Sequence, residues 1–265
     1  IEKLKNDKLN SEICLTFDDA LKCQFDIAQP ILEEFKLKAF YFIQTSIFEK
    51  QKDYSETYRF FRNNFYKNLN NFYNDFFYIL KNKTKRDFFK FFIKKKKLIL
   101  KKKKMYPFYS IKDIKFRLIR DNFLSEIEYK EIMIEMFKIK KFNYKKNLNN
   151  IFLNKSHIKK LSKKGNLIGL HSHSHTFNFD KLTFKQQLRD YKKNKQIINK
   201  IIPGNIISAC YPGGKLNSHS LKVLKKLNIK CCFVDTMRKN KFSLSKNSYL
   251  TVPREDSTNI IKLIN

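Results

Sequence analysis

Apolar and polar positions follow two different rhythms along the chain. Residues 11–48 open with "EICLTFDD", a short apolar run closed by two acids, which suits a buried strand that delivers carboxylates at its C-terminal end. "QFDIAQPILEEFKL" then has helical periodicity with a Pro near its start, and "KAFYFI" reads as a second strand. From about residue 151 this β-α-β order returns. "NKSHIKKLSKKG" predicts a helix that stops at Gly165. "NLIGLHSHSH" predicts a strand running into histidines, "LTFKQQLRDYKKNKQIINKII" a long helix, and "IISACYPGG" a strand entering a turn. "SHSLKVLKKLN" predicts a helix, "IKCCFVDT" a strand, and "YLTVPRED" a last strand or loop. Strand after strand ends in polar or reactive residues. That is the pattern of an α/β barrel, whose site lies at the C-terminal ends of its strands.

Residues 50–150 differ, with one Pro (Pro107) and no Gly. "YRFFRNNFYKNLNNFYNDFFYIL" places Phe61, Phe65, Leu69, Phe72 and Phe76 at spacings of 4, 4, 3 and 4, one face of an amphipathic helix. A core face is the plain reading, and a lid or partner-binding helix the other. "FFIKKKKLILKKKK" sets two four-lysine runs around an apolar triplet. A solvated charged segment is the plain reading here, and docking on a membrane surface the other. "SEIEYKEIMIEMF" is a further helix candidate. The region reads as a mostly helical insertion, at about 50–150, in a single domain spanning 1–265. It could form a wall or lid over a substrate.

Composition changes this picture little. The formal charge is +33, from 57 Lys and Arg against 24 Asp and Glu. Lys, Asn, Ile, Phe and Tyr are raised together, as an AT-rich coding sequence would produce. The lysines are spread widely and no nucleic-acid motif accompanies them, so no specific nucleic-acid partner is expected. A basic surface still favours anionic substrates or lipid headgroups. The five cysteines, Cys14, Cys23, Cys210, Cys231 and Cys232, are odd in number and form no CxxC. Cys14, Cys210, Cys231 and Cys232 read as small buried hydrophobes, which points to a reducing, cytoplasmic compartment, with contact at a membrane surface allowed. No apolar run approaches the ~18 residues of a membrane span. No signal peptide is visible, and the start at Ile1 allows for a missing N-terminal piece.

The chemistry is concentrated in three places. Asp18 and Asp19 are adjacent carboxylates at a strand end, and neighbouring side chains of a strand point apart. One can bind a metal while the other faces a substrate. In "GLHSHSH" three of the five histidines, His171, His173 and His175, stand at every second position. All three share a side if the strand continues; only His171 and His175 do in a helical turn. Two histidines and an aspartate with open positions are a minimal hydrolytic metal site. "CYPGGK" runs a strand into Pro-Gly-Gly, a tight turn whose N–H groups can hold an oxyanion.

Together and in this order, these pieces resemble the polysaccharide deacetylase family, with a NodB-homology domain of the carbohydrate esterase family 4 type. "LTFDDA", "GLHSHSH", "CYPGGK" and "LTVPRED" are similar to its ordered motifs, over roughly 11–48 and 151–256. The resemblance implies a distorted (β/α) barrel of about seven strands and metal-assisted removal of an acetyl group from a sugar or polysaccharide. By the same resemblance, Asp19, His171 and His175 are metal ligands for zinc or another divalent transition metal. Asp18 is the general base, paired with Arg254, and the Gly213 N–H completes an oxyanion hole beside the substrate-binding Tyr211 and Pro212. Ala20 stands where the family has glycine, and Cys210 where many members have arginine. The late L-x-H motif, which supplies the general acid, is missing from "NIIKLIN". The general acid then lies beyond Asn265, or another residue or a water serves; His173 is the nearest candidate in sequence for that or for a supporting role, and His157 and His219 read as structural. Hydrolysis of a non-sugar amide and a catalytically impaired glycan-binding relative stand as alternatives.

Overall fold

Six short strands, all parallel and paired in chain order, form one sheet among the described residues. They are β1 (Leu15–Phe17), β2 (Ala39–Ile43), β3 (Leu167–Leu170), β4 (Ser208–Cys210), β5 (Cys231–Asp235) and β6 (Val252–Arg254). The computed structural model describes residues 13–49, 54–176, 178–235, 249–257 and 260. The chain divides into two compact units, Ile1–Asp53 with Asn149–Asn265, and Tyr54–Leu148.

Helices lie between successive strands from β1 to β5, as parallel pairing requires. Pro30 lies at the start of helix Gln29–Glu34, where its missing N–H costs nothing, and a π turn (Gln24–Ala28) precedes that helix. Helices Lys155–Lys163, Phe184–Asn199 and Ser218–Lys226 each begin with a capping box, from Asn154, Thr183 and Asn217. The predicted stop at Gly165 is a left-handed residue, φ +82°. His157 is part of its helix cap and stacks on Phe25 at 4.5 Å, while His219 meets Phe184 edge-on.

Alternate strand residues go to opposite sides of the sheet. Tyr41, Ile43, Ile168, Leu170, Ala209, Tyr211, Cys232 and Val234 join the main core with the helices. Phe42, Cys210, Cys231 and Phe233 form a second cluster, with Phe40 and Val252 against it. On that second side Arg254 of β6 reaches Thr16 of β1 at 2.9 Å. The first and last strands of a six-strand order can meet only if the sheet curls, so this side is the inside of a half-barrel. Cys14, expected to be buried, is exposed just before the edge strand β1, and none of the five cysteines forms a disulfide.

The second unit is helical, with an aromatic core that includes Tyr58, Phe61, Phe72, Phe76 and Phe137. The face expected over 61–76 is split between helices Tyr54–Asn64 and Leu69–Lys83. Asn68 caps the second of these by accepting from the Asn70 N–H at 2.8 Å. Phe61, Phe72 and Phe76 are buried as the spacing predicts, but Leu69, in the first turn after the break, is 42% exposed.

Gly169 sits mid-strand in β3, paired with Phe42. A Cβ built there would lie 2.5 Å from the Phe42 ring and 2.8 Å from Ser208 Oγ. Neither neighbour is a mobile chain end, so overpacking follows. Gly169→Ala is expected to destabilise the fold by about 1–3 kcal/mol, read as a lower urea midpoint with an unchanged slope. An unchanged midpoint would refute this packing argument.

Candidate functional site

The site begins with the turn after β1. Asp19 and Ala20 adopt φ of +72° and +55°. Left-handed backbone costs an L residue about 1–2 kcal/mol, and neighbouring bonds hold it in place. Gln24 donates to the Asp18 carbonyl, Gln44 donates to the Asp19 carbonyl, and Leu153 N–H donates to the Ala20 carbonyl. Ala20, fully buried, thus takes the backbone shape for which a glycine would be the easy choice. The turn sends the two adjacent carboxylates to different partners.

Asp18 is gripped by Arg254. Nη1 donates to Oδ1 at 2.9 Å and Nη2 to Oδ2 at 2.7 Å, a two-pronged ion pair. Arg254 Nη2 also lies 2.9 Å from Cys210 Sγ, and the Cys210 thiol reaches Asp18 Oδ2 at 3.5 Å. Burial pushes the Asp18 carboxyl up, but the nearby His171 and Arg254 outweigh it and hold the carboxyl below its usual range. Burial, then the Asp18 charge, pushes the Cys210 thiol well up, so it stays protonated.

Asp19 meets two histidines. Its Oδ1 lies 3.2 Å from His171 Nε2 and 3.0 Å from His175 Nε2. Yet this buried oxygen has no well-formed hydrogen bond among the described residues. The candidate ligand atoms of Asp19, His171 and His175 lie within 4.8 Å of one another. Ligand atoms on one tetrahedral ion with bonds of about 2.0–2.1 Å stand roughly 3.3 Å apart, so the three residues fit a divalent metal. His171 Nδ1 is 3.1 Å from the Cys210 carbonyl, which fixes the ring and leaves Nε2 as its free ligand atom. Burial raises the Asp19 carboxyl, and the close His171 and His175 rings outweigh it, leaving it well below the usual range. A second cluster, Asp18, His171 and Cys210, also lies within ligand distance. It does not suit a cation, because the Arg254 guanidinium already covers both Asp18 oxygens and the thiol.

The histidine loop follows neither form expected of it. The strand stops at Leu170, and Ser172 and His175 take φ of +59° and +48°. Ser172 Oγ accepts from His175 N–H at 3.0 Å, which folds the second histidine back towards the first. His173 is turned elsewhere. Its Nδ1 is 2.9 Å from Thr45 Oγ1 and its Nε2 3.4 Å from Glu49 Oε2. Burial, then the Lys193 charge, pushes its pKa down. His173 is buried, and its Nε2 makes no well-formed hydrogen bond among the described residues; the Thr45 contact suits the supporting role that was one of its two expected ones. The stretch "NIIKLIN", where a later acid would be sought, lies outside the described residues except for Ile260.

The turn Pro212–Gly214 follows β4, with Gly213 and Gly214 at φ of +55° and +64°. Gly214 and Lys215 donate within the turn, to Tyr211 and Pro212. Gly213 is exposed and has open space where a Cβ would stand. Tyr211 and Pro212, expected beside the substrate, lie on the inner side of this turn. Both are buried, and the Tyr211 hydroxyl donates to the Leu250 carbonyl at 3.0 Å in the core.

Two residues of helix Phe184–Asn199 had not been singled out. Asp190 accepts from the His173 and Ser174 N–H groups at 2.6 and 3.0 Å. Asn194 accepts from His171 N–H at 3.1 Å and donates to the Ile43 carbonyl at 2.9 Å. Gln187, Tyr191, Asn194 and Ile198 form the buried stripe of that helix. Polar residues recurring on a buried stripe were the available signal.

Comparison with known proteins gives one consistent likeness. The family described as Polysaccharide deacetylase matches residues 121–232, which include the histidine loop and β4 but not the paired acids. Deacetylase PplD of Streptococcus pyogenes, solved in complex with acetate, is 14% identical; the alignment covers 100% of this chain and 76% of that one, with a TM-score of 0.53. A de-N-acetylase from Aggregatibacter actinomycetemcomitans is 12% identical, covering 100% and 80%, with a TM-score of 0.51. The deacetylase domain of BpsB from Bordetella bronchiseptica is 11% identical, covering 96% and 75%, with a TM-score of 0.50. At these identities the structures show the fold, that of NodB-like deacetylase barrels. No curated protein matches the sequence.

Two outcomes follow from the geometry. Asp190→Ala is expected to weaken binding of a divalent metal on the order of 10-fold while the protein stays folded, because loop support is lost; titration with Zn2+ measures it, and unchanged affinity would sink the clamp. The second concerns acid. A carboxyl held below its unfolded value contributes stability above that value and loses it as the pH falls through the folded one. The stability gap between wild type and Arg254→Met should therefore narrow as the pH drops below about 4. A gap that widens in acid would show that Arg254 does not hold Asp18 ionised.

Proposed function

We propose that this polysaccharide deacetylase-like chain is a metal-dependent hydrolase that removes an acetyl group, attached through nitrogen, from an amino sugar or surface polysaccharide. Family and fold support deacetylation of a polysaccharide. The observation that carries the finer reading is the split of two adjacent carboxylates between Arg254 and a histidine pair. A site that only bound glycans would need no ionised base beside a metal-ligand set.

In this reading Asp19, His171 and His175 hold the metal. When bound, such a metal lowers the pKa of water and polarises a carbonyl. The other steps belong to the chain's own groups. Asp18, kept ionised by Arg254, accepts the proton of the attacking water, and that proton passes to the amine nitrogen as the C–N bond breaks and acetate is released. The Arg254 fork fixes both carboxylate oxygens, so Asp18 cannot swing onto the metal ligands. The Gly213 N–H donates to the oxygen that gains charge as the acetyl carbon becomes tetrahedral. Cys210, protonated and buried, fills the space beside Asp18 and accepts from Arg254. The arginine that many members place in this motif is here supplied from β6.

Acetate release from N-acetylglucosamine oligomers tests the proposal. Wild type should release acetate, and Asp18→Asn should be slower by about 100-fold or more, with metal content unchanged. Equal rates for the two, or no release from wild type loaded with metal, would favour a glycan-binding role.

A further inference from the structure

We infer that an anionic lipid surface docks on the outer face of the helical pair Phe88–Lys94 and Lys96–Met105. This rests on the second unit alone and is independent of the hydrolase reading. Residues 88–111 carry nine lysines, no acid and no arginine. The inner side of the pair is satisfied. Phe88 belongs to the aromatic core, and Ile99 is buried with Ile114 and Leu118.

The outer side is not what a merely solvated segment would show. Ile93, Leu100 and Phe108 are 74%, 57% and 52% exposed, and Phe89 and Met105 are exposed as well. Leu100 lies among Lys97, Lys101 and Lys104, which are one helical turn or one residue away from it. Those three lysines are exposed, and none is in an ion pair among the described residues. Apolar tips rising between free ammonium groups match an interfacial segment. The apolar groups enter the acyl boundary while lysine stems lie along it and their heads stay with the headgroups.

Two features favour lipid over nucleic acid. Lysine is a point charge and lacks the planar fork with which arginine reads phosphates in nucleic acids. Of the five exposed apolar groups, Ile93, Leu100 and Met105 are aliphatic, and only Phe89 and Phe108 offer a ring for a base to stack on. Among the described residues no helix is long and apolar enough to cross a membrane. This replaces the plain reading of "FFIKKKKLILKKKK" as a solvated run, because periodicity could not show which apolar side chains stay uncovered.

Sedimentation of the full chain with phosphatidylcholine vesicles, with and without phosphatidylglycerol, tests the inference. Binding is expected only with phosphatidylglycerol present, and should weaken as salt rises. The triple variant Lys97→Gln, Lys101→Gln, Lys104→Gln should bind about 100-fold more weakly, and the double variant Leu100→Ser, Phe108→Ser should also bind more weakly. A control triple, Lys222→Gln, Lys225→Gln, Lys230→Gln, removes the same charge from exposed lysines of the first unit and should bind as wild type does. Equal weakening in the control would assign binding to net charge and overturn the inference. So would full binding by the apolar variant, or displacement of the chain from vesicles by duplex DNA. Thermal unfolding checks that each variant is folded, and the lysine triple, altered only at exposed positions, decides the matter if the apolar variant is not.

Discussion

The Arg254 guanidinium on Asp18 is the contact on which the rest of the site depends. Among the described residues, β1 and β6 stand at the two ends of the six-strand order. Arg254 reaches from β6 to Thr16 and Asp18 at the other edge, so one side chain draws the edges together. The same fork satisfies both oxygens of Asp18 and contacts Cys210 on β4. An ion pair this sheltered is costly to break, since removing the cation leaves a largely buried carboxylate with only the Cys210 thiol beside it. It also sets the chemistry, because with both Asp18 oxygens on Arg254, Asp19 is the carboxylate that lies between the two histidines.

The histidines are sorted by backbone shape, and the shape is supported from behind. Ser172 and His175 leave ordinary backbone space, which ends strand alternation and brings His171 and His175 round to Asp19. His173 is left on the other side with Thr45 and Glu49. Asp190 and Asn194, one turn apart on a single helix, receive three loop N–H groups between them. That helix packs in the main core through Tyr191 and Ile198. Rigid packing thus passes to the loop through hydrogen bonds, and the loop holds its left-handed residues in return for filled donors.

Much of this was legible in the residues, for a physical reason. The apolar runs at 15–17, 39–43, 167–170, 208–210, 231–235 and 252–254 are short because parallel strands are buried on both sides, and each is punctuated by polar or turn residues. That placed Asp18, Asp19, the histidines, the Pro-Gly-Gly turn and Arg254 at strand ends. Periodicity failed where a local hydrogen bond competes with it. Asn68 caps a helix in the middle of a run that otherwise keeps its spacing, so one expected helix became two. It failed also for side-chain direction. Tyr211 belongs to the alternation that faces the helices, and its hydroxyl is used in the core, although its neighbours shape the site. Asp190 and Asn194 were hidden because a polar residue on an amphipathic helix reads as solvent-facing unless the stripe it falls on is counted.

The central claim is that two adjacent carboxylates have separate duties, one towards Arg254 and one towards a metal. Calorimetric titration of Zn2+ into the metal-stripped wild type, Asp18→Asn and Asp19→Asn proteins tests it directly. The account predicts that Asp18→Asn binds the ion as wild type does, with one ion per chain, and that Asp19→Asn loses binding by about 100-fold or more. Loss of the ion in Asp18→Asn with retention in Asp19→Asn would contradict it.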